Sequence, residues 1–190
     1  TIRDVVRSEV LDPRRSKDKL YAQPRIFDDL LSSQPLCFNL FGELERDLAL
    51  ATRVFRALSG GRVDEVTAIA FEHSPGRGDA KYTGDRSAFD VFVEYTANDA
   101  KGFLGIEVKY HESLADKPGR HRPRYDEIAD AAGIFAPACR EALRRKPLQQ
   151  VWRDHLLSHS LLLAGDYAEG CFVFLAPRDN ERCSRAVAQY

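Results

Sequence analysis

Residues Ser87 to Glu112 read SAFDVFVEYTANDAKGFLGIEVKYHE, two apolar runs separated by the polar pair Asn98-Asp99. Both runs are rich in β-branched and aromatic residues, as half-buried strands are, and the polar stretch between them predicts a turn. We therefore expect a β-hairpin. If its two arms pair symmetrically about the bond between Asn98 and Asp99, Asp90 lies directly opposite Glu107.

This register would hold two carboxylates and an ammonium on one edge of the hairpin. Opposed residues on antiparallel strands have Cβ atoms roughly 4.5–5.5 Å apart. Because side chains alternate along a strand, Lys109 projects on the same side as Glu107. Asp90 and Glu107 would repel each other unless a cation lay between them, and hard oxygen ligands suit Mg²⁺. The hairpin thus predicts the site of a metal-dependent phosphodiester hydrolase, in which Lys109 orients or helps to deprotonate the attacking water, or steadies the developing charge.

Each of these residues also has an ordinary interpretation. Taken singly, Asp90 fits a salt bridge at the end of a strand, and Glu107 with Lys109 fits an exposed ion pair. The pattern of an acidic residue two positions before Lys is common in this chain, since Asp79-Ala80-Lys81 and Asp99-Ala100-Lys101 also carry it. Glu107-Val108-Lys109 differs because it lies in an apolar strand, where burying charge is costly without a reason.

The pattern Asp90…Glu107-Val108-Lys109 resembles the catalytic motif of the PD-(D/E)XK nucleases, the restriction-endonuclease-like superfamily. The sequence TGDRSAFDVFVEY, followed by GIEVKYHESL, also resembles a family of bacterial proteins within that superfamily. This resemblance spans roughly residues 33–190. Phe89 stands where the superfamily motif has Pro, a position that supplies no ligand.

The resemblance implies a metal cofactor and further ligands for it. Mg²⁺ is the expected ion, with Mn²⁺ as a substitute, and the backbone carbonyl of Val108 is implied as a ligand beside Asp90 and Glu107. In this superfamily a Glu from the first core helix often completes the site. Glu43 is the candidate here, and Asp47, one turn further on, is the alternative. Both also fit solvated carboxylates that form pairs on the helix surface.

The order of predicted elements agrees with the αβββαβ core that the resemblance implies. We expect an α/β fold with a mixed central sheet flanked by helices, an N-terminal arm and one extra helix. Around the hairpin we predict a helix over Cys37–Leu58, a strand over Val63–Glu72, a helix over Tyr125–Arg145 bent near Pro137, a helix over Leu148–Leu163, and an interior strand over Cys171–Leu175.

Residues 1–36 are charged and punctuated by three prolines, with a short helical piece near Ile26–Leu31. We expect them to form an arm packed on the core, and residues 37–190 to form a single nuclease-like domain. A chain of 190 residues that is 44% hydrophobic can bury the core of one such domain.

Composition bears on the compartment and the partners. Four scattered cysteines without a CxxC pair predict reduced thiols in a cytoplasmic protein, and no apolar run approaches the roughly 20 residues of a membrane span. The net charge of −1 gives no global attraction to nucleic acid, so a local patch would have to supply it.

Two loops could form that patch. The glycine-bearing loop 74–86 carries Arg86, and the segment 117–124 carries Arg120, Arg122 and Arg124 close behind the Glu107/Lys109 strand. Cations beside a carboxylate pair suit phosphate anchoring, although charge runs are usually only solvated. Gln149 and Gln150 open a helix that could line the same cleft, or they are surface amides.

These observations favour a metal-dependent nuclease that hydrolyses phosphodiester bonds of nucleic acid, with DNA favoured over RNA. A homodimer is possible. The alternative is a non-cleaving module that binds nucleic acid or another partner on the same fold. A third interpretation is an enzyme that acts on a smaller phosphate ester or nucleotide.

Overall fold

The computed structural model describes residues 1–114 and 119–190 as helices on both faces of a four-stranded sheet. Lys117 and Pro118, which belong to the predicted basic segment, lie outside the described residues. The elements are α1 (Ile2–Leu11), α2 (Arg25–Asp28), α3 (Ser33–Arg46), α4 (Leu48–Leu58), β1 (Glu65–His73), β2 (Phe89–Ala97), β3 (Ala100–Val108), α5 (Pro123–Ala132), a 3₁₀ turn (Pro137–Cys139), α6 (Arg140–Leu143), α7 (Gln149–Leu163), β4 (Glu169–Leu175) and α8 (Glu181–Gln189).

The sheet is mixed, with strand order β1-β2-β3-β4. Its first three strands are antiparallel, and β4 runs parallel to β3. The expected fold class is confirmed: a mixed sheet flanked by helices, with α3 and α4 before the first three strands and α5 to α7 before the last.

The hairpin has the predicted register. Ala97 pairs with Ala100 at the turn, and Val91 pairs with Ile106 at the other end. Asn98 and Asp99 both have positive φ, 50° and 61°, the conformation of a tight two-residue hairpin turn that Asn and Asp tolerate. Local turn chemistry and the alternation of side chains therefore determine this part of the fold.

Helices pack apolar residues against each face of the sheet. On one face, Phe38 of α3 and Phe55 of α4 join a core that includes Val91 and Val93. On the other face, Leu157 and Leu161 of α7 pack on an aromatic group made by Phe89, Phe92 and Phe103. Asp90, Glu107 and Lys109 lie at one end of the sheet, in a cavity that the first residues of α3 and of α7 also line.

The helix predicted over Cys37–Leu58 is wrong in its continuity. Asp47 ends α3 and caps α4, because its side chain accepts a hydrogen bond of 2.8 Å from the backbone N–H of Leu50. An Asp in this position offers the backbone a cap in place of another helical turn, which explains the break.

The helix predicted over Tyr125–Arg145 is also wrong in its extent. Gly133 ends α5 with φ of 68°, a left-handed C-cap that glycine adopts at little cost, and the chain continues through the 3₁₀ turn into α6. The interior placement of the last strand is wrong as well. β4 is an edge strand whose residues are half-buried or exposed, because no fifth strand covers it in the described part of the chain.

The N-terminal residues contribute to the core. Val5 and Val10 of α1 and Ile26 of α2 are buried in the same apolar cluster as Phe38. The expected boundary between residues 36 and 37 lies inside α3. Among the residues that the structure describes, no helix has both the length and the apolar composition to cross a membrane.

Candidate active site at the ends of the central strands

Three carboxylates lie in a row across β1, β2 and β3. The pairing of Val91 with Ile106, continued by one residue, puts Asp90 opposite Glu107. On the other side of β2, the pairs Phe71–Val91 and His73–Phe89 enclose Glu72 and put it opposite Asp90. Glu72 was not expected. The register of β1 with β2 cannot be read from the sequence. A long loop joins the two strands, and their pairing shifts by one residue between Val66 and Ala68.

The row opens into a cavity of about 360 Å³. Its walls include Glu72, Asp90, Glu107 and Lys109 from the strand ends, together with Gln150 and Asp154 from α7. Glu107 is 4% exposed, and the side chain of Lys109 is 13% exposed, so both charges lie mostly out of water. Charge is costly to bury without partners, so this concentration is a feature of a functional site.

Specific hydrogen bonds hold the central groups in place. Lys109 Nζ lies 2.7 Å from Glu107 Oε1, and Gln150 Nε2 donates to the same oxygen at 2.6 Å. The backbone N–H of Val108 donates to Asp90 Oδ2 at 2.8 Å. Both glutamines considered from the sequence line the cavity: Gln150 donates to Glu107, and Gln149 donates to the carbonyl of Gly119 at 2.9 Å.

The surroundings of Asp90 and of Lys109 raise the pKa of both side chains, for different reasons. Burial raises the pKa of Asp90 well above its ordinary value, and the charge of Glu107 raises it further. Burial acts to lower the pKa of Lys109, but the charge and hydrogen bond of Glu107 outweigh it, so this pKa is raised. Lys109 is therefore a charged ammonium, whereas Asp90 needs a nearby cation to stay ionised.

Asp154 is a further acidic group that sequence reasoning missed. It is 6% exposed, and its Oδ2 is buried without a hydrogen-bond partner among the described residues. Burial raises the pKa of Asp154 well above its usual range, and the charge of Glu107 adds to the effect. Its position in an apolar helix beside His155 gave no signal of this role, because only the packing of α7 on the sheet brings it to the cavity.

The donor chemistry of this cavity fits a divalent cation. Asp90, Glu107 and the unpartnered Oδ2 of Asp154 supply hard oxygen donors, which Mg²⁺ and Mn²⁺ prefer. Within residues 1–114 and 119–190, no three His, Cys, Asp or Glu side chains are already arranged to hold a metal ion. The bonds that Lys109 and Gln150 make to Glu107 occupy one of the oxygens that would bind it.

The candidate helix carboxylate is not brought to the cavity. Glu43 is exposed on α3 and does not line the cavity, whereas Ser33 and Gln34 at the start of that helix do. Glu43 lies nine residues beyond Gln34, about 13 Å along the helix axis. Asp47 is also exposed, and its carboxylate caps α4.

The predicted cationic residues lie in two loops that the fold brings together. Arg120 and Arg122 are exposed and line a second cavity of about 460 Å³ with Gly78 and Gly84 of the other loop. Arg86 is exposed as well. These residues are therefore available to a polyanion.

Arg124 differs from its neighbours because its guanidinium already has three partners. It donates to the carbonyls of Tyr82 and Lys81, each at 3.0 Å, and to Glu127 at 3.0 Å. The geometry assigns Arg124 to holding the glycine-bearing loop against α5. An arginine at the start of a helix gave no sequence signal for this, because the two carbonyls lie more than forty residues away.

Comparison with known proteins gave one result. A family model described as the PD-(D/E)XK nuclease superfamily matches residues 1–190. Neither the curated proteins nor the solved structures contained a match.

Proposed function

Since the chain belongs to the PD-(D/E)XK nuclease superfamily, we propose that it is a divalent-cation-dependent nuclease that cleaves nucleic acid at the Asp90–Glu107–Lys109 site. The observation that carries this proposal is the row of carboxylates at the strand ends, with Lys109 bonded to Glu107 inside a cavity. Members of this superfamily typically use divalent metal ions.

Asp90 and Glu107 would hold the cation, with the backbone carbonyl of Val108 as a further ligand and Asp154 supplying its unpartnered oxygen nearby. When bound, a divalent cation offsets negative charge on the phosphoryl group and activates water. Mg²⁺ is the proposed ion and Mn²⁺ its substitute.

The protein's own groups have distinct roles in this proposal. Gln150 orients the Glu107 carboxylate through its 2.6 Å hydrogen bond. Lys109 Nζ, 2.7 Å from Glu107, is placed to donate a hydrogen bond to the attacking water or to a phosphoryl oxygen. In this scheme Lys109 orients the water or stabilises charge on the phosphoryl group.

Arg86, Arg120 and Arg122 would contact backbone phosphates outside the cavity, since all three are exposed on loops beside it. DNA is the first substrate to test, with RNA beside it. A cytoplasmic location fits the four free cysteines and belongs to the same proposal, as does assembly into a homodimer.

Thermal unfolding with Mn²⁺, Mg²⁺ and EDTA tests the metal site. At a hundredfold excess over Kd, Mn²⁺ should raise Tm by about 5–10 °C, since binding then contributes about 2.7 kcal/mol. Asp90→Asn should abolish this increase. Glu43→Gln is the matched control: it removes an exposed carboxylate from α3 and should leave the increase intact. A full Mn²⁺ response in Asp90→Asn would place the metal elsewhere.

Nuclease activity is tested in parallel on supercoiled plasmid, single-stranded DNA and RNA with each ion. Cleavage that EDTA abolishes and that Asp90→Asn lacks would support the proposal. If the wild type binds Mn²⁺ yet cleaves none of these substrates, the non-cleaving module becomes the better interpretation.

A further inference from the structure

Among the described residues, Arg153 is one of four cations that line the active-site cavity, together with Arg25, Lys109 and Lys146. Arg153 of α7 lines the cavity, and its side chain is 26% exposed. Its Nε and Nη2 donate to Asp85 Oδ2 at 3.1 and 2.8 Å, and Nη2 also donates to Ser87 Oγ at 2.8 Å. The guanidinium plane therefore has a fixed orientation.

Asp85, which fixes it, is itself immobilised. It is 6% exposed and accepts hydrogen bonds from the Tyr125 hydroxyl at 2.5 Å, the Thr83 hydroxyl at 2.7 Å and the backbone N–H of Ser87 at 2.9 Å. These partners come from the glycine-bearing loop and from α5. Two elements besides α7 thus contribute to the placement of one guanidinium.

The bonds to Asp85 and Ser87 use Nε and both N–H groups of Nη2, so only Nη1 of Arg153 remains to contact a ligand. Within residues 1–114 and 119–190, no hydrogen bond engages its Nη1. Arg153 stays charged at any working pH, and a guanidinium held in advance by other bonds loses less entropy when its remaining N–H groups bind an anion.

The negative charge of the carboxylates that line the cavity makes a cation necessary for binding a phosphate there. Glu72, Asp90, Glu107 and Asp154 all line it, and Lys109 is already paired with Glu107. A phosphate entering this cavity meets several carboxylates, so cations on its wall are needed to attract it. Lys146, which lies shortly before the first turn of α7, is exposed, lines the same cavity and has no ion-pair partner among the described residues.

We infer that Arg153 and Lys146 form a phosphate-binding site on the wall of the active-site cavity, which takes a backbone phosphate of the nucleic-acid strand beside the bond that is cut. This inference rests on the proposed nuclease function and names how the same site binds its substrate. In this site Arg153 contacts the substrate, and Asp85 holds the guanidinium of Arg153 in place.

The test is the binding of a fluorescein-labelled single-stranded oligonucleotide in EDTA, followed by anisotropy across a range of salt concentrations. Arg153→Met should weaken binding and lower the log–log salt slope by about 0.7, the value for one phosphate contact to a single strand. Lys146→Met should have a similar effect. Arg144→Met is the control, because it removes an equal charge that is paired with Asp126 and lies off the cavity.

Because Arg153→Met leaves the buried Asp85 charge unpaired, it can lower stability. The double variant Asp85→Asn/Arg153→Met removes both partners, and it should show the same decrease in affinity and slope with a smaller decrease in Tm. Arg153→Lys keeps the charge but cannot bond Asp85 and Ser87 in the same way, so it should recover only part of the binding.

The outcomes separate this inference from the proposed function. Cleavage by the wild type together with unchanged affinity, slope and KM in the Arg153 variants would overturn the phosphate site and leave the nuclease standing. Oligonucleotide binding that depends on Arg153 in a protein that does not cleave would support the site and count against the nuclease. A wild type that does not bind the oligonucleotide would overturn the inference outright.

Discussion

The surroundings of Lys109 favour the charged form of its side chain. Its side chain is mostly buried, its ammonium lies 2.7 Å from Glu107, and the neighbouring carboxylates raise its pKa. The role we propose for this lysine is to supply a hydrogen bond and a positive charge.

Lys109→Ala should therefore retain the Mn²⁺-dependent rise in Tm while its rate of cleavage falls by about 10²–10⁴-fold. Lys109→Arg should rescue little, because the planar guanidinium does not fit the place of a compact ammonium. Nicking of supercoiled plasmid with Mg²⁺ or Mn²⁺ measures both variants. Full activity in Lys109→Ala would remove this residue from the mechanism.

Asp85 gives a prediction about acid stability. Burial alone would raise its pKa, but hydrogen bonds from Tyr125 and Ser87 and the charge of Arg153 lower it to about 2. The folded-state pKa is below the unfolded value near 3.8, so the stabilisation is present above about pH 4 and is lost as the pH falls toward 2. The difference corresponds to about 2 kcal/mol.

Asp85→Asn should accordingly be less stable than the wild type at pH 6, and the gap should narrow as the pH approaches 2. Urea unfolding at several pH values measures this. Asp166→Asn is a useful comparison, because that carboxylate is partly exposed and its ion pair with Lys81 is accessible to solvent. A gap in Asp85→Asn that does not change with pH would show that its hydrogen bonds do not favour the ionised form.

At the scale of elements, β3 depends on glycines that lie beneath aromatic rings. A Cβ added to Gly105 would come within 2.5 Å of Phe89 Cε1, and the Phe89 ring is fully buried beside Phe92 and Phe103. The ring cannot move away without disturbing this group. Because Phe89 directly precedes Asp90, the packing beneath it also fixes the start of the strand that carries Asp90.

Gly105→Ala should lower the free energy of unfolding by about 1–3 kcal/mol, the usual cost of overpacking a core. Gly42→Ala makes the matched comparison in α3, where the added Cβ would meet its neighbours at an ordinary 3.7 Å. There the change should be neutral or stabilising, since glycine inside a helix costs roughly 0.5–1 kcal/mol relative to alanine. Equal effects of the two substitutions in thermal or urea unfolding would refute this account of Gly105.

At the scale of the whole molecule, the net charge of −1 means that attraction to a polyanion is local. The described fold places Arg120 and Arg122 on the second cavity, beside the loop that carries Arg86. Arg124 is set apart from them because its side chain holds the loop.

Reversing the charge of Arg120 and Arg122 to Glu should weaken duplex binding and lower the log–log salt slope by about 0.9 for each DNA phosphate that the variant no longer neutralises. The Mn²⁺ response should be unaffected. The pair Arg145, just after α6, and Arg185 of α8, changed to Glu in the same way, is the control, since both are exposed and pair with a Glu four residues earlier. Similar decreases in the two double variants would mean that only total charge matters.

The sequence by itself determined the hairpin and, through it, the relation of Asp90, Glu107 and Lys109. Strand alternation and turn chemistry act over a few residues, so the register that places Asp90 opposite Glu107 follows from local rules. The order of the main strands and helices followed from apolar periodicity in the same way. The breaks at Asp47 and Gly133 did not, because a cap competes with helix continuation by a small margin that neighbouring packing decides.

Only the tertiary structure showed which distant residues complete the site. Glu72 reaches Asp90 through the pairing of β1 with β2, and Gln150, Arg153 and Asp154 arrive because α7 packs across the strand ends. The tertiary structure also showed that Glu43 is exposed and that Arg124 donates hydrogen bonds to the glycine-bearing loop. Such contacts join residues far apart in the chain, and they depend on how helices pack on the sheet, a choice made by the summed burial of many side chains that no short stretch of sequence contains.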